Sequence, residues 1–404
     1  MKRNILIISI YYPPIQSIAS NRLYSFAKYL DKEKYNIYVH TLEEGKGFHH
    51  GIEGVEVTRS KNDMMLKPFK FNKRTNKILH YSKVIYNVLI KRLQKDMYQA
   101  WINDSISMLS SVIEKNNVDI MLSSFAPAST HKVALSLKMR HPHIKWIADM
   151  RDEMSANPFI DKKTKISYEA LEQKIFHYAD AITSVSKPIL DEYKVMSQGS
   201  HLSFQEIRNG YDFEIENVKE KNEIFTIAYV GNFYGTRNPN NFLKALSTLV
   251  KNGALNDIKI KFIGVKTHFE IPENIKAYLS MVGNIVHGDA IEEMRNSDAL
   301  LLIHPNNGRK GIFTGKIFEY LATKKPIIAL VDFRDVAADL IRECDAGYVS
   351  DFDDIEGIKK AIIQTYYDWE NNTVNEVNID LIKKHHRKEQ TKRLEKLIEE
   401  LTSE

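Results

Sequence analysis

The stretch Gly315–Leu330, GKIFEYLATKKPIIAL, reads as a helix that stops at Lys324-Lys325-Pro326 and runs directly into a short apolar strand. Proline cannot continue a helix, and a short apolar run after such a breaker is what a strand buried on both faces looks like. A helix that only covers a sheet does not need Lys316 and Glu319 at its start. The pair points either to an anionic ligand at the helix N-terminus or to ordinary ion pairing on a helix surface.

Working outward, the same alternation of short apolar runs and amphipathic segments fills the chain. Before the quoted stretch lie FTIAYVG (225–231), the helical NPNNFLKALSTLV (238–250), IKIKFIG (258–264), NIVHG (284–288) and ALLLIHP (299–305), and after it AGYVS (346–350). Further upstream come ILIIS (5–9), SNRLYSFAKYL (20–30), IYVHT (37–41), VEVT (55–58), DIMLSS (119–124), THKVALSLKMR (130–140), KWIAD (145–149), AITSVS (181–186) and KPILDEYKVM (187–196). Strands that alternate with helices imply an α/β protein with mostly parallel sheets covered on both faces. The polar DFEIENVKEKNE (212–223) lacks apolar periodicity and is read as a linker. The expected organisation is a first Rossmann-like domain over 1–213, a second over 223–378, and a charged amphipathic helix over 379–404 that packs back on the first. Ligands of open parallel sheets bind beyond the carboxyl ends of the strands, so two such doubly wound domains are expected to face a cleft.

Composition narrows the class. The 404 residues are 43% hydrophobic and 27% charged, which suits a globular chain able to bury two cores. The single cysteine, Cys344, excludes an intrachain disulfide and fits a reducing cytoplasm. The N-terminal MKRNILIISIYYPP is too short in its apolar part for a signal peptide, and no run reaches the roughly 18 to 20 apolar residues that span a bilayer. Net charge is only +5, but residues 59–95 concentrate Lys and Arg among apolar residues at helical spacing. That stretch fits an anionic membrane surface, with a solvated helix face as the alternative. Nucleic acid is not expected, because nothing else in the chain repeats the basic signal. No Cys or His cluster has zinc spacing, and the DFDD run from Asp351 to Asp354 reads as a helix cap rather than a metal site.

Taken together, the motifs resemble the family 4 group of retaining glycosyltransferases with the GT-B fold. GKIFEYLATKKPIIAL is similar to the family's nucleotide-sugar segment. YYPPIQSIASNRLYSFAKYL (11–30), KWIADMRDE (145–153), YADAITSVSKPI (178–189), IRNGYD (207–212), YVGNFYGTRNP (229–239) and NSDALLLIHP (296–305) match the rest in the family's order. The resemblance covers nearly the whole chain, and its weight comes from the ordered set.

The chemistry of the matched residues can be stated independently. Arg237 follows the strand FTIAYVG in a loop with Gly231 and Gly235, where backbone can approach an anion. Lys316 opens a helix, so its ammonium and the helix amides can face one diphosphate. By resemblance, Glu319 accepts the ribose hydroxyls. The family's glutamate that contacts the donor sugar falls at Gly311, leaving the amides of Gly311, Ile312, Phe313 and Thr314 as sugar contacts. Ser17, with Ala19, stands where many members have glycines near the diphosphate. Asp149, Arg151 and Asp152 follow a strand end. They are candidates for catalysis at Asp149 and for acceptor orientation at Arg151 and Asp152, or else an internal ion pair. His131 is a candidate acceptor ligand or a cap residue.

The resemblance implies a hexosyltransferase-type glycosyltransferase that moves a sugar, with retention, from a UDP- or GDP-type nucleotide diphosphate donor to an acceptor hydroxyl. Arg237 and Lys316 would carry the leaving-group charge, so no metal or cofactor is expected. A glycan or lipid-linked acceptor in bacterial surface polysaccharide or glycolipid synthesis follows, with the enzyme cytoplasmic or peripheral on the inner face of the cell membrane. The alternatives are a nucleotide-sugar epimerase of the same fold and a non-catalytic nucleotide- or glycan-binding partner.

Overall fold

The computed structural model describes residues 2–43, 51–62, 82–86, 96–306, 308–373 and 376–403. Most of the basic stretch 59–95 (residues 63–81 and 87–95) lies outside the described residues. The chain divides into two compact units, one made of Met1–Ser184, Leu190–Glu206 and Thr391–Glu404, the other of Val185–Ile189 and Ile207–Gln390.

The first unit holds strands β1 (Arg3–Ile8), β2 (Tyr35–Leu42), β3 (Val55–Ser60), β4 (Ile120–Ser124), β5 (Lys145–Arg151), β6 (Ala181–Ser184) and β7 (Ser203–Glu206). They form one sheet in the order β3-β2-β1-β4-β5-β6-β7, and each described pairing is parallel. Helices α1 (Ile18–Tyr29), α2 (Gln99–Asn116), α3 (Ser129–Arg140) and α4 (Lys162–Tyr178) cross between strands, and α5 (Lys187–Met196) follows β6. Every residue of β4 is buried, as a central parallel strand requires. The register between β5 and β6 slips at Asp149–Arg151, and Arg151 stands at φ 50°.

In the second unit β8 (Phe225–Val230), β9 (Ile258–Ile263), β10 (Leu279–Val282), β11 (Ala299–His304), β12 (Ile327–Val331) and β13 (Gly347–Ser350) pair in the order β10-β9-β8-β11-β12-β13, again parallel. The crossings include α6 (Asn240–Lys251), α7 (His287–Arg295), α8 (Gly315–Thr323) and α9 (Val336–Glu343), and α10 (Ile355–Glu370) follows the last strand. Successive strand residues face opposite sides, so Leu300, Leu302 and Ala329 pack under Ile317, Phe318 and Leu321 of α8. Leu301, Ile303 and Ile328 join Phe242, Leu246 and Ile358 on the other face. Each fully buried side chain of this size contributes about 1.5–3 kcal/mol. That is why the quoted stretch has a fixed place: α8 lies on one face of β11 and β12, then ends at Lys324, in the left-handed region at φ 60°.

Two elements differ from their sequence reading. The run 284–288 is not a strand: Leu279–Val282 pairs with β9 instead, and α7 begins at His287. Gly283 and Asn284 break the apolar pattern between them, and a run of two apolar residues, Ile285 and Val286, cannot by itself fix its own boundaries. The C-terminal segment is two helices, α11 (Ile379–Lys383) and α12 (Arg387–Thr402). They are separated where His386 bridges to Tyr211. The end of α12 belongs to the first unit, with Glu395 Oε1 accepting the Asp31 amide at 2.7 Å and Glu399 2.8 Å from Lys34 Nζ.

Candidate functional site

Strand order in the second sheet reverses between β8 and β11, and the loops leaving their carboxyl ends border the crevice where open parallel sheets take ligands. The loop after β8 carries Gly231 and Arg237; that after β11 carries Gly311–Thr314 and leads into α8 with Lys316 and Glu319.

Lys316 Nζ donates to Tyr229 Oη at 3.1 Å and lies 4.2 Å from the centre of that ring. Its side chain passes directly over Gly231, whose φ is 105°. Burial first, then the Arg237 guanidinium, push the ammonium down to about 7, while Glu319 partly offsets them. Arg237 Nη2 donates to His304 Nδ1 at 2.6 Å, and Nη1 to the Tyr234 hydroxyl. Because Arg237 can only donate, Nδ1 of His304 is the acceptor and Nε2 carries the proton. Burial, then Arg237 and Arg309, hold His304 down at about 3, so it is neutral at any ordinary pH. Both cations are therefore held by neutral partners.

Glu319 lies one turn beyond Lys316, with Oε1 3.5 Å from His287 Nε2 at the start of α7. Burial raises its carboxyl above the usual range, against the pull of His287, Arg387 and Lys316. Thr314 occupies the N-cap of α8, yet its side chain makes no capping bond, and its buried hydroxyl has no partner among the described residues. The Ile317 amide donates to the Thr314 carbonyl at 3.2 Å, so in the first turn of α8 it is the Gly315 and Lys316 amides that can serve an anion.

Gly311 is buried with φ 78°, and a Cβ there would stand 2.7 Å from Ser186 Oγ and 3.0 Å from Pro188 Cβ. A glutamate at this position has no room. The Gly311 amide donates to Asp335 Oδ1 at 2.7 Å. Phe313 turns inward against Phe318, with ring centres 5.3 Å apart, and Arg208 stacks on it, so at Phe313 only backbone is left to offer. Ile312 remains half-buried.

In the first unit, Asp149 has 0% exposure. It accepts from Arg22 Nε and Nη2 at 3.0 and 2.8 Å, Ser124 Oγ at 2.7 Å and Thr183 Oγ1 at 2.8 Å. Burial acts to raise its carboxyl, but Arg22, then the Ser124 hydroxyl and Arg151, outweigh burial and hold it below the usual range. Both oxygens are taken, leaving no surface to meet a substrate in this conformation. Arg151 differs: its Nε and Nη1 are buried without partners among the described residues, and Nη2 stands 3.7 Å from Asp152. His131 is fully buried, with Nδ1 2.8 Å from Ser123 Oγ, which also accepts from Trp146 Nε1. Burial holds His131 at about 4. Ser17 caps α1, accepting the Ser20 amide at 3.0 Å. Asp354 caps α10 through the Gly357 amide at 2.9 Å, and among the described residues no group of His, Cys, Asp and Glu could hold a metal.

Tyr229, His304, His287, Asp335 and Arg22 escaped sequence reasoning. Each is an ordinary strand-end, loop or helix residue in one dimension, and only the packing joins it to a predicted partner.

Residues 211–378 match the family described as glycosyl transferases group 1. This part of the chain is a glycosyl transferases group 1 domain. On that ground the protein is a glycosyltransferase. Its whole length also superposes on solved structures. The lipopolysaccharide outer core galactosyltransferase WaaB in apo form matches with a TM-score of 0.62 at 13% identity, covering 98% of this chain and 99% of that one. The E. coli structure described as trehalose-6-phosphate bound with UDP-2-fluoro glucose matches at 0.61 and 11%, covering 98% of each chain. The N-terminal domain of Candida albicans trehalose-6-phosphate phosphatase matches at 0.62 and 12%, covering 100% of this chain and 97% of that one. At such identities the likeness speaks for the fold, two parallel-sheet α/β units of the GT-B type. No curated protein sequence matches the chain.

Proposed function

We propose that the protein transfers a hexose from a UDP- or GDP-type nucleotide diphosphate sugar to an acceptor hydroxyl, with retention. One observation carries this reading: Lys316 lies on Tyr229 of β8 and Arg237 on His304 at the end of the neighbouring β11, close enough for Arg237 to push the Lys316 ammonium down, beside the uncapped N-terminus of α8, and the side chains they bond to are neutral. Such an arrangement suits an anion, and a diphosphate fits its two cations and helix amides. Glu319, near α7 and one turn further along α8, accepts the ribose hydroxyls. As the bond from the anomeric carbon to the phosphate oxygen breaks, negative charge grows on that oxygen, and Lys316, Arg237 and the helix amides stabilise it more than they stabilise the ground state. The acceptor oxygen bonds to the anomeric carbon on the face the phosphate leaves, and its proton passes to the departing phosphate oxygen. No metal takes part in this scheme.

On the acceptor side we assign orientation to Arg151 and Asp152, with Asp149 holding the loop that carries them and His131 in support. The acceptor is a glycan or lipid-linked saccharide of a bacterial surface polymer or glycolipid. This fits the name of the galactosyltransferase structure above and the basic, apolar composition of residues 59–95. The enzyme would then work at the inner face of the cell membrane. No described helix is long and apolar enough to cross it. Flotation with vesicles that contain phosphatidylglycerol, but not with pure phosphatidylcholine, is the expected result.

Thermal shift against UDP, GDP and a panel of their sugars tests the donor. A ligand at a hundred times its Kd stabilises the fold by about 2.7 kcal/mol. Transfer to a saccharide acceptor followed by NMR of the new anomeric centre tests retention, and an inverted product refutes it. The absence of room for a glutamate at Gly311 favours a second reading, a non-catalytic nucleotide-binding partner. Binding without transfer or donor hydrolysis would select it.

A further inference from the structure

The loop after β12 grips the loop after β11 at two points. Asn306 Nδ2 donates to Asp332 Oδ2 at 2.7 Å, and the Gly311 amide donates to Asp335 Oδ1 at the same distance. Asp335 is 6% exposed and stands at the N-cap of α9, where an aspartate ordinarily accepts amides of its own helix. Its side chain makes no such bond; the Ala338 and Asp339 amides go to its backbone carbonyl instead. The carboxylate forgoes a cap worth about 1 kcal/mol and reaches across 24 residues of sequence to the loop that opens α8. At the far end of that bond lies a glycine where φ 78° strains any side chain and a Cβ would crowd Ser186 and Pro188.

We propose that Asp335 is the positioning residue of the donor-sugar pocket: its bond to the Gly311 amide holds the 311–314 loop for the sugar, where no side chain at position 311 can. This rests on the donor reading above. The nucleoside diphosphate is held separately, by Lys316, Glu319 and Arg237.

The test is a split between nucleotide and sugar. UDP and GDP binding are measured by calorimetry, and transfer or donor hydrolysis is followed with UDP-glucose, UDP-galactose, UDP-N-acetylglucosamine and GDP-mannose. In Asp335→Ala, nucleoside diphosphate affinity should stay within about threefold of wild type, while KM for the sugar donor rises about tenfold or more. Asp335→Asn retains an acceptor oxygen and should restore most of the loss. Asp335→Ser is the decisive variant, because its hydroxyl can cap α9 but is too short to reach Gly311. It should melt like the wild type and still show the raised KM, even where the alanine variant fails to fold. A serine variant with wild-type KM, or an asparagine variant as impaired as alanine, overturns the proposal. Should the wild type bind neither UDP nor GDP, the donor reading itself fails, which is a separate result.

Discussion

Gly231 and Lys316 compete for one volume: a Cβ on Gly231 would lie 2.6 Å from Lys316 Cε and 2.7 Å from its Nζ. The glycine at the end of β8 is thus what lets the ammonium lie against Tyr229. Gly231→Ala should push Lys316 off Tyr229 and strain a backbone at φ 105°, at a cost of about 1–3 kcal/mol. UDP or GDP affinity should fall about tenfold or more by calorimetry. Unchanged affinity would separate Lys316 from the anion site.

The pH dependence of binding has a defined sign. Lys316 sits at about 7 against an ordinary 10.5. A bound diphosphate favours the charged ammonium, so above pH about 7 binding must take up a proton, and affinity should fall as pH rises from 7 toward 9. Below 7 this group adds no slope. Lys316→Met should bind weakly at pH 6.5 and lose the slope, which calorimetry in buffers of different ionisation heat can read. Without ligand the sign reverses: between about 7 and 10.5 the unfolded chain holds the extra proton, so this lysine makes stability rise with pH.

His304 should act on Arg237 rather than on protons. His304→Ala removes the acceptor of the 2.6 Å bond and should weaken nucleoside diphosphate binding less than Arg237→Ala does. With His304 held at about 3, the wild-type profile should show no inflection from it near pH 6.5. A loss on His304→Ala equal to that of Arg237→Ala would make His304 a ligand contact in its own right.

Asp149 is expected to show itself mainly in stability. Asp149→Ala removes the carboxylate of a buried, bidentate ion pair with Arg22, which should cost about 3–5 kcal/mol. Arg22→Met combined with Asp149→Leu should recover much of it, measured by urea unfolding. Since Asp149 titrates below its ordinary 3.8, its contribution is complete above that pH and is lost as pH falls further. An Asp149→Ala protein as stable as the wild type would show that the buried network does not matter.

Local chemistry determined a good deal of this protein. The alternation of apolar runs and amphipathic segments was enough for two parallel α/β sheets, because burial on both faces leaves a strand such as ALLLIH no polar positions until its end. The break at Lys324-Lys325-Pro326 marked the end of α8, since proline and the left-handed residue before it act within one turn. Boundaries where apolar runs are short were another matter: the strand is Leu279–Val282, at the edge of the sheet beside β9, and not 284–288.

The site was legible only as isolated residues. Lys316, Glu319 and Arg237 stood out by type and place, but nothing in one dimension said that Tyr229 and His304 would hold the two cations, or that Asp149 would be saturated by Arg22 from 127 residues away. Nor did it say why position 311 lacks a side chain. That reason is a volume already filled by Ser186 and Pro188. Strand and helix follow from interactions within a few residues. The charge state of a buried lysine and the room beside a glycine depend on atoms that only the folded chain brings together.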